Sequence, residues 1–263
     1  MISPSKFAWL LLILVAPCLY AQSTERPKSG LLEFRGAITS FGAGVSSPDN
    51  PDINNLSERD LGIKKAFAPE FRFIFTPGGG GNKIRFDYLH QGFDSDQTLT
   101  RRVEFDGRIF NVNARVNGEL SLRQLRFAYA YRFGNDKFRI GPMVDVRVVR
   151  AKARLATVAT GGGSSATVSE QVEGTLPGIS IGGDFDAHPT DKLHLYGFVS
   201  GLKASKENAS GSFFDSEFGL RYYPSRHFGL TGGFKYLRIS GSEDKDRVVV
   251  RTIGPFFGVA LRF

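Results

Sequence analysis

The chain has 263 residues, 34 Lys and Arg against 26 Asp and Glu, a formal charge of +8, and a single cysteine. One thiol cannot build a disulfide framework or a thiolate metal site. No segment is long and apolar enough to cross a bilayer as a helix, so a membrane role requires strands.

The first 21 residues read as a secretory leader. Lys6 is its only charge, an apolar run extends from Phe7 to Ala16, and small residues precede a cut after Ala21. The run is too short for a retained spanning anchor. Cys18 raises the question of lipid attachment, but Pro17 before it is a poor context for that chemistry. Cleavage removes Trp9 and Cys18, the only Trp and Cys, and with Lys6 gone the formal charge falls from +8 to +7.

Beyond the leader, apolar and polar residues alternate with the period of a strand. Leu32, Phe34 and Ile38 stand opposite Glu33, Arg35, Ala37 and Thr39. A polar stretch (SSPDNPDINNLSERDLG) follows, then Phe71, Phe73 and Phe75 against Glu70, Arg72 and Ile74. After the short TPGGGGN connection, Ile84, Phe86 and Tyr88 oppose Arg85, Asp87 and Leu89. The next connection is long and contains Asp106-Gly107 between two alternating runs, which reads as a hairpin beyond the rim.

Leu125, Phe127, Tyr129, Tyr131 and Phe133 then oppose Arg126, Ala128, Ala130 and Arg132, and GNDK turns the chain. Phe138, Ile140, Pro142, Val144, Val146 and Val148 oppose Arg139, Gly141, Met143, Asp145 and Arg147. The Gly/Ser/Thr-rich stretch 157–175 reads as a long loop. Ile179, Ile181 and Phe185 oppose Ser180, Gly182, Asp184 and Asp186, HPTDK turns, and LHLYGFVSGL returns. A polar loop is expected from Lys203 to Gly211. Phe214, Phe218, Leu220 and Tyr222 then oppose Asp215, Glu217, Gly219 and Arg221. PSRH turns into FGLTGGFKYLRI, and GSEDKD leads into the last strand. There Ile253, Phe257, Val259, Leu261 and Phe263 face away from Gly254, Gly258, Ala260 and Arg262.

About ten strands result, and every second connection is tight. A meander threaded through a membrane needs this pattern, with tight turns on one side and variable loops on the other. A soluble sandwich gives no reason for it. The leader, the ten-residue dyad-periodic strands and the terminal aromatic strand together resemble the bacterial outer-membrane β-barrel superfamily. They are specific for the superfamily and for no one member.

The resemblance implies an all-β, transmembrane, up-and-down antiparallel barrel, with eight strands as the alternative count. It also implies an outer-membrane location, with both termini in the periplasm. In this reading residues 1–21 are the leader, 22–30 a periplasmic segment and 31–263 the barrel. It further implies that Phe257, Val259, Leu261 and Phe263 form the address read by the barrel-assembly machinery.

No backbone group can stay unpaired in hydrocarbon, so a strand-built membrane protein must close on itself. The apolar parity then faces lipid. A soluble lipocalin-like barrel would reverse the two faces and enclose an apolar ligand.

The inward parity collects Glu33, Glu70, Asp87, Asp145, Asp184, Asp186, Asp215 and Glu217. Against them stand Arg35, Arg72, Arg85, Arg126, Arg132, Arg139, Arg147, Arg221, Lys235 and Arg262. In a barrel this narrow, they predict a closed, salt-bridged lumen, since unpaired charges there are costly. The excess of Arg makes a narrow anion-leaning channel the alternative. Planar-bilayer conductance separates the two.

Basic residues also gather in or beside the long connections. Lys64, Lys65, Arg101, Arg102, Arg108 and Arg115 are expected to meet phosphates of lipopolysaccharide or other anionic partners. Nucleic acid is not implied, because the positive charge is divided between lumen and loops.

The expectation for function is a non-enzymatic structural or surface-interaction barrel. A narrow pore is the second reading and a barrel enzyme the third. Omptin proteases combine an Asp-x-Asp pair with an Asp-x-His pair at the outer rim. Here Asp94 and Asp96 lie on the loop side, whereas Asp186 and His188 lie by the tight turn HPTDK, out of hydrogen-bond reach. His194 and His227 also fall near tight turns, and His90 has no serine at a convincing offset on its own strand. No metal cluster or phosphate loop is present, and no cofactor is expected.

Overall fold

The computed structural model describes residues 29–46, 66–78, 81–98, 103–105, 108–110, 115–161, 164–206, 209–243 and 246–263. The leader and the predicted contacts Lys64, Lys65, Arg101 and Arg102 lie outside them. In chain order the strands are β1 (Ser29–Ser46), β2 (Ala66–Thr76), β3 (Asn82–Thr98), β4 (Val103–Phe105), β5 (Arg108–Phe110), β6 (Arg115–Tyr131), β7 (Phe133–Gly134), β8 (Phe138–Gly161), β9 (Ser164–Ala187), β10 (Leu193–Lys206), β11 (Ala209–Tyr222), β12 (Phe228–Glu243) and β13 (Asp246–Arg262).

All pairings are antiparallel, and two of them close the sheet on itself: β1 with β13, and β6 with β8. The short β7 extends the β6 side of its hairpin past Arg132 and pairs with β8. β4 and β5 form a separate hairpin with Phe105 opposite Arg108, flanking the expected Asp-Gly. Ten long strands among the described residues therefore make the wall, as the periodicity predicts, and the eight-stranded alternative is set aside. The start of β1 meets the end of β13: the Gly30 amide donates to the Phe263 carbonyl at 2.8 Å, and the Phe263 amide donates back at 3.0 Å. β1 thus starts at Ser29, ahead of the expected boundary at Leu31.

Side-chain direction follows the sequence parity. Phe34 is 52% exposed, Phe218 54% and Phe234 61%, whereas Glu33, Arg72 and Asp145 are at most 1% exposed. Large apolar groups outside and ionic groups inside are the reverse of a soluble barrel, and they fit a wall solvated by lipid. Tyr131, Phe133, Phe138, Tyr222, Phe228 and Phe263 are exposed rings at the tight-turn end, where an interfacial girdle belongs.

The other end departs from expectation. Residues 157–175 are not a loop. β8 and β9 pair without interruption from Phe138–Ala187 to Gly161–Ser164, leaving two residues between them. Likewise β10 and β11 pair through Lys206–Ala209, and β12 and β13 through Glu243–Asp246, where loops were expected. Thr157, Val158, Thr160, Thr167 and Val168 are β-branched and favour the extended chain. A hairpin ladder also needs no membrane to continue once its register is set.

Beyond the ring the wall divides. β9 pairs with β10 only as far as Ile181–Gly201, although β9 continues to Ser164 and β10 to Lys206. On the far side, β1–β2 pairing stops at Thr39–Ala66 while β1 runs on along β13. Among the described residues, one sheet of β3, β6, β8 and β9 and a second of β10, β11, β12, β13 and β1 therefore rise above the ring.

Candidate functional site: the charged lumen and its two ends

Nine cationic and eight acidic side chains are buried among the described residues, and all are inward-facing. Each set sits on alternate positions of neighbouring strands, so the register brings opposite charges together. At the centre, Glu217 (β11) accepts from Arg35 (β1) at 2.7 and 3.0 Å and from Arg72 (β2) at 2.5 and 2.9 Å. Arg72 also donates to Asp87 at 2.5 Å, Arg35 to Glu70, and Lys235 to Glu70 at 2.6 Å.

A second knot lies nearer the loop side. Arg126 donates to Asp145 at 2.8 Å and Asp215 at 3.0 Å, and Arg147 to the same two carboxylates at 2.7 and 2.9 Å. The hydroxyl of Ser200 accepts from both guanidiniums, and Ser180 accepts from Arg147. Phe198, inward on β10, is a platform with the guanidiniums of Arg85 and Arg126 at 4.0 and 4.1 Å from its centroid. Each charge thus has partners that offset its desolvation. With nine positive and eight negative groups, the predicted Arg excess nearly vanishes.

Towards the loops the buried side chains are uncharged among the described residues, with Thr39, Gln91, Gln124 and Thr252 beside apolar groups. Leu122, Val149 and Leu237 form a buried cluster with Ala151, Phe213 and Ile239 packed against it. At the tight-turn end it opens as a vestibule of about 680 Å³. Its floor holds Lys83, whose ammonium lies 3.0 Å from Asp184 and 3.1 Å from Asp186, with Arg132 also on Asp186. Arg221 donates to Glu33 at 2.5 Å and lies over Tyr196 at 3.5 Å. At the rim, Arg262 lies 3.9 Å from the Tyr223 centroid and 3.3 Å from His194, and His194 stacks on His188 at 4.0 Å. Burial, then the fields of Arg139, Arg262, Arg132 and Arg221, lowers the His188 pKa below 6.5.

Most predicted lumen residues meet in this network, but two do not. Arg139 pairs with Asp136 of the adjacent turn at 3.0 Å, and Arg262 rests on aromatic rings. Both lie at the vestibule mouth, where strand ends leave the packed interior. Sequence reasoning missed Lys83, although it shares the parity of Arg85 and Asp87. It also missed the inward rings of Tyr196, Phe198 and Phe256, because adjacent aromatics such as Phe256 and Phe257 blur a period of two.

On the outer face, the apolar band ends in cations. Two residues past outward Leu125, Val148, Tyr236 and Ile253 stand exposed Arg123, Arg150, Arg238 and Arg251. The register sets Arg123 opposite Arg150 and Arg238 opposite Arg251. Of the predicted lipid contacts, Arg115 pairs with Asp96 at 2.9 and 2.7 Å, and Arg108 lies on β5. Phe257, Val259, Leu261 and Phe263 face outward at the end of the chain, next to β1.

The catalytic options stay apart. Asp94 and Asp96 are exposed on the outward parity of β3, away from the lumen, while Asp186 and His188 are at the vestibule. His90 has a serine after all, on the neighbouring strand: Ser121 Oγ lies 3.4 Å from its Nε2. That pair is also on the outward parity. No group of three or more potential metal ligands occurs among the described residues.

No family model matches the chain, and no curated protein matches it. Solved structures do. The outer membrane protease OmpT of Escherichia coli superposes with a TM-score of 0.58 at 7% identity, covering 92% of this chain and 99% of that one. Ail, the attachment invasion locus protein of Yersinia pestis solved with the heparin analogue sucrose octasulfate, gives 0.33 at 11% identity over 89% and 99%. The Neisserial surface protein A gives 0.34 at 12% over 90% and 100%. The likeness to OmpT establishes the fold of an outer-membrane barrel and nothing of activity; the two lower scores carry no argument.

Proposed function

We propose that the chain is an integral outer-membrane barrel with a plugged lumen, whose outward cationic edge holds the phosphates of lipopolysaccharide. The tight turns and both termini face the periplasm in this reading. The observation that carries it is the facing of like charges where the apolar band stops, Arg238 opposite Arg251, and Arg123 opposite an Arg150 that Glu173 already engages. Like charges directly opposite one another across strands are destabilising on their own. A bridging phosphate converts the Arg238–Arg251 pair into two charge-assisted contacts and gives Arg123 an acceptor beside the Arg150–Glu173 pair. The contacts move from the loops to the wall itself. Lipopolysaccharide binding by the refolded barrel tests the proposal. R123Q/R150Q/R238Q/R251Q is expected to weaken it at least tenfold, and unchanged binding rejects it.

The vestibule favours the second reading, a narrow pore. The balanced charge knots and the apolar cluster above them argue for closure. Single-channel steps in planar bilayers would support the pore, and a flat trace the plug. A protease is disfavoured by the separation of Asp94 and Asp96 from His188, and a peptide-turnover assay tests it.

A further inference from the structure

Cations outnumber carboxylates in the vestibule lining, although the plug carboxylates Glu33 and Asp184 engage Arg221 and Lys83 from beneath. Six cationic side chains line it against three carboxylates. Two of those carboxylates are already engaged, Asp186 by Lys83 and Arg132, and Asp136 by Arg139. Arg262 ends against the rings of Tyr223 and His194. Arg221 is 4% exposed, and its Nη2 has no hydrogen-bond partner. A buried guanidinium N–H without an acceptor costs desolvation that nothing in the chain returns.

We infer that the vestibule is a binding site for a small oxyanion of the phosphate or carboxylate kind, held by Arg221 at its floor and Arg262 at its rim. Both guanidiniums lie over tyrosines, Arg221 over Tyr196 and Arg262 over Tyr223. Stacking fixes the guanidinium plane, the pose in which arginine binds oxyanions; in Arg221 the Nε is taken by Glu33, so Nη2 is the donor left for an oxygen. Tyr223, the residue just past the end of β11, is two residues from Arg221 and buried like it, and both arginines line the same vestibule. The stacked rings of His188 and His194 form another wall. The volume of about 680 Å³ accommodates an anionic headgroup with an organic body. This site lies at the opposite end from the lipopolysaccharide contacts and does not depend on them.

The test uses the refolded barrel in a nonionic detergent, with histidine ring resonances followed by NMR. Inorganic phosphate and acetate are titrated separately, replacing chloride at fixed ionic strength. A saturable shift of the His188 resonances that leaves His90 unmoved is the expected result. A response to phosphate alone, acetate alone or both assigns the oxyanion class.

Bound anion also offsets the field of Arg132, Arg139, Arg221 and Arg262 at His188, so its pKa rises in the effective salt relative to chloride. R262Q weakens binding at least tenfold, and R262K restores only part of it. Absence of a saturable His188 shift with both anions overturns the inference in the native protein, whether or not the variants refold. Full affinity in a folded R262Q does the same.

Discussion

Glu217 accepts four hydrogen bonds from two buried guanidiniums, and Glu217→Gln is the sharpest test of the plug. The substitution keeps the shape and removes the charge. Arg72 retains Asp87 at 2.5 Å and Arg35 retains Glu70, so neither guanidinium is stripped of every acceptor. Removing one partner of a buried ion pair costs about 3–5 kcal/mol. The remaining carboxylates place E217Q at the lower end, about 3 kcal/mol. Glu173→Gln is the control: Glu173 pairs with Arg150 at the surface, with side chains 34% and 57% exposed, and exposed pairs contribute about 0–1 kcal/mol. Urea titration in detergent, with folded and unfolded barrels separated on unheated gels, gives both values. If E217Q and E173Q fall within 1 kcal/mol of each other, the lumen is hydrated rather than packed and the reasoning is wrong.

At Gly254 a Cβ would collide with the Ile38 carbonyl of the neighbouring strand. Gly254→Val is expected to loosen the β1–β13 closure by about 1–3 kcal/mol in the same titration. Deleting Phe263 is expected to lower the amount of assembled barrel in cells more than the refolding yield in detergent, because the terminal ring is proposed to be an address; equal losses would make it a packing residue only. The depressed His188 pKa gives a signed pH effect. An unfolded histidine takes its proton near 6.5 while His188 resists it, so its contribution is intact above 6.5 and lost as the pH falls from there towards the folded value. His188→Gln should flatten that acid limb of the stability profile, and an unchanged limb would assign it to another group.

Parity made the wall and most of the plug legible. Glu70 with Arg72 and Arg85 with Asp87 each place opposite charges two residues apart, and only a strand sets them on one face. Where the wall ends was not legible. Thr157 to Thr175 is polar and glycine-rich, which resembles a loop, because outside hydrocarbon neither face of a hairpin must be apolar. The vestibule was hidden for a different reason. Arg221, Arg262 and the His188–His194 turn come from three separate parts of the chain, and their meeting depends on closure. Glycine positions carried a readable signal only in retrospect: a Cβ at Gly219 would lie 2.6 Å from Tyr196 and 3.0 Å from Phe256, so the inward rings need that gap.

The place where β9 parts from β10 has a consequence for how the molecule comes undone. Along β9 from Ser180 towards Ser164, the backbone groups on that edge find no strand opposite them among the described residues, which leaves them to water. Deuterium should therefore enter there first, and a tear begun at this seam need not break the ring beneath it.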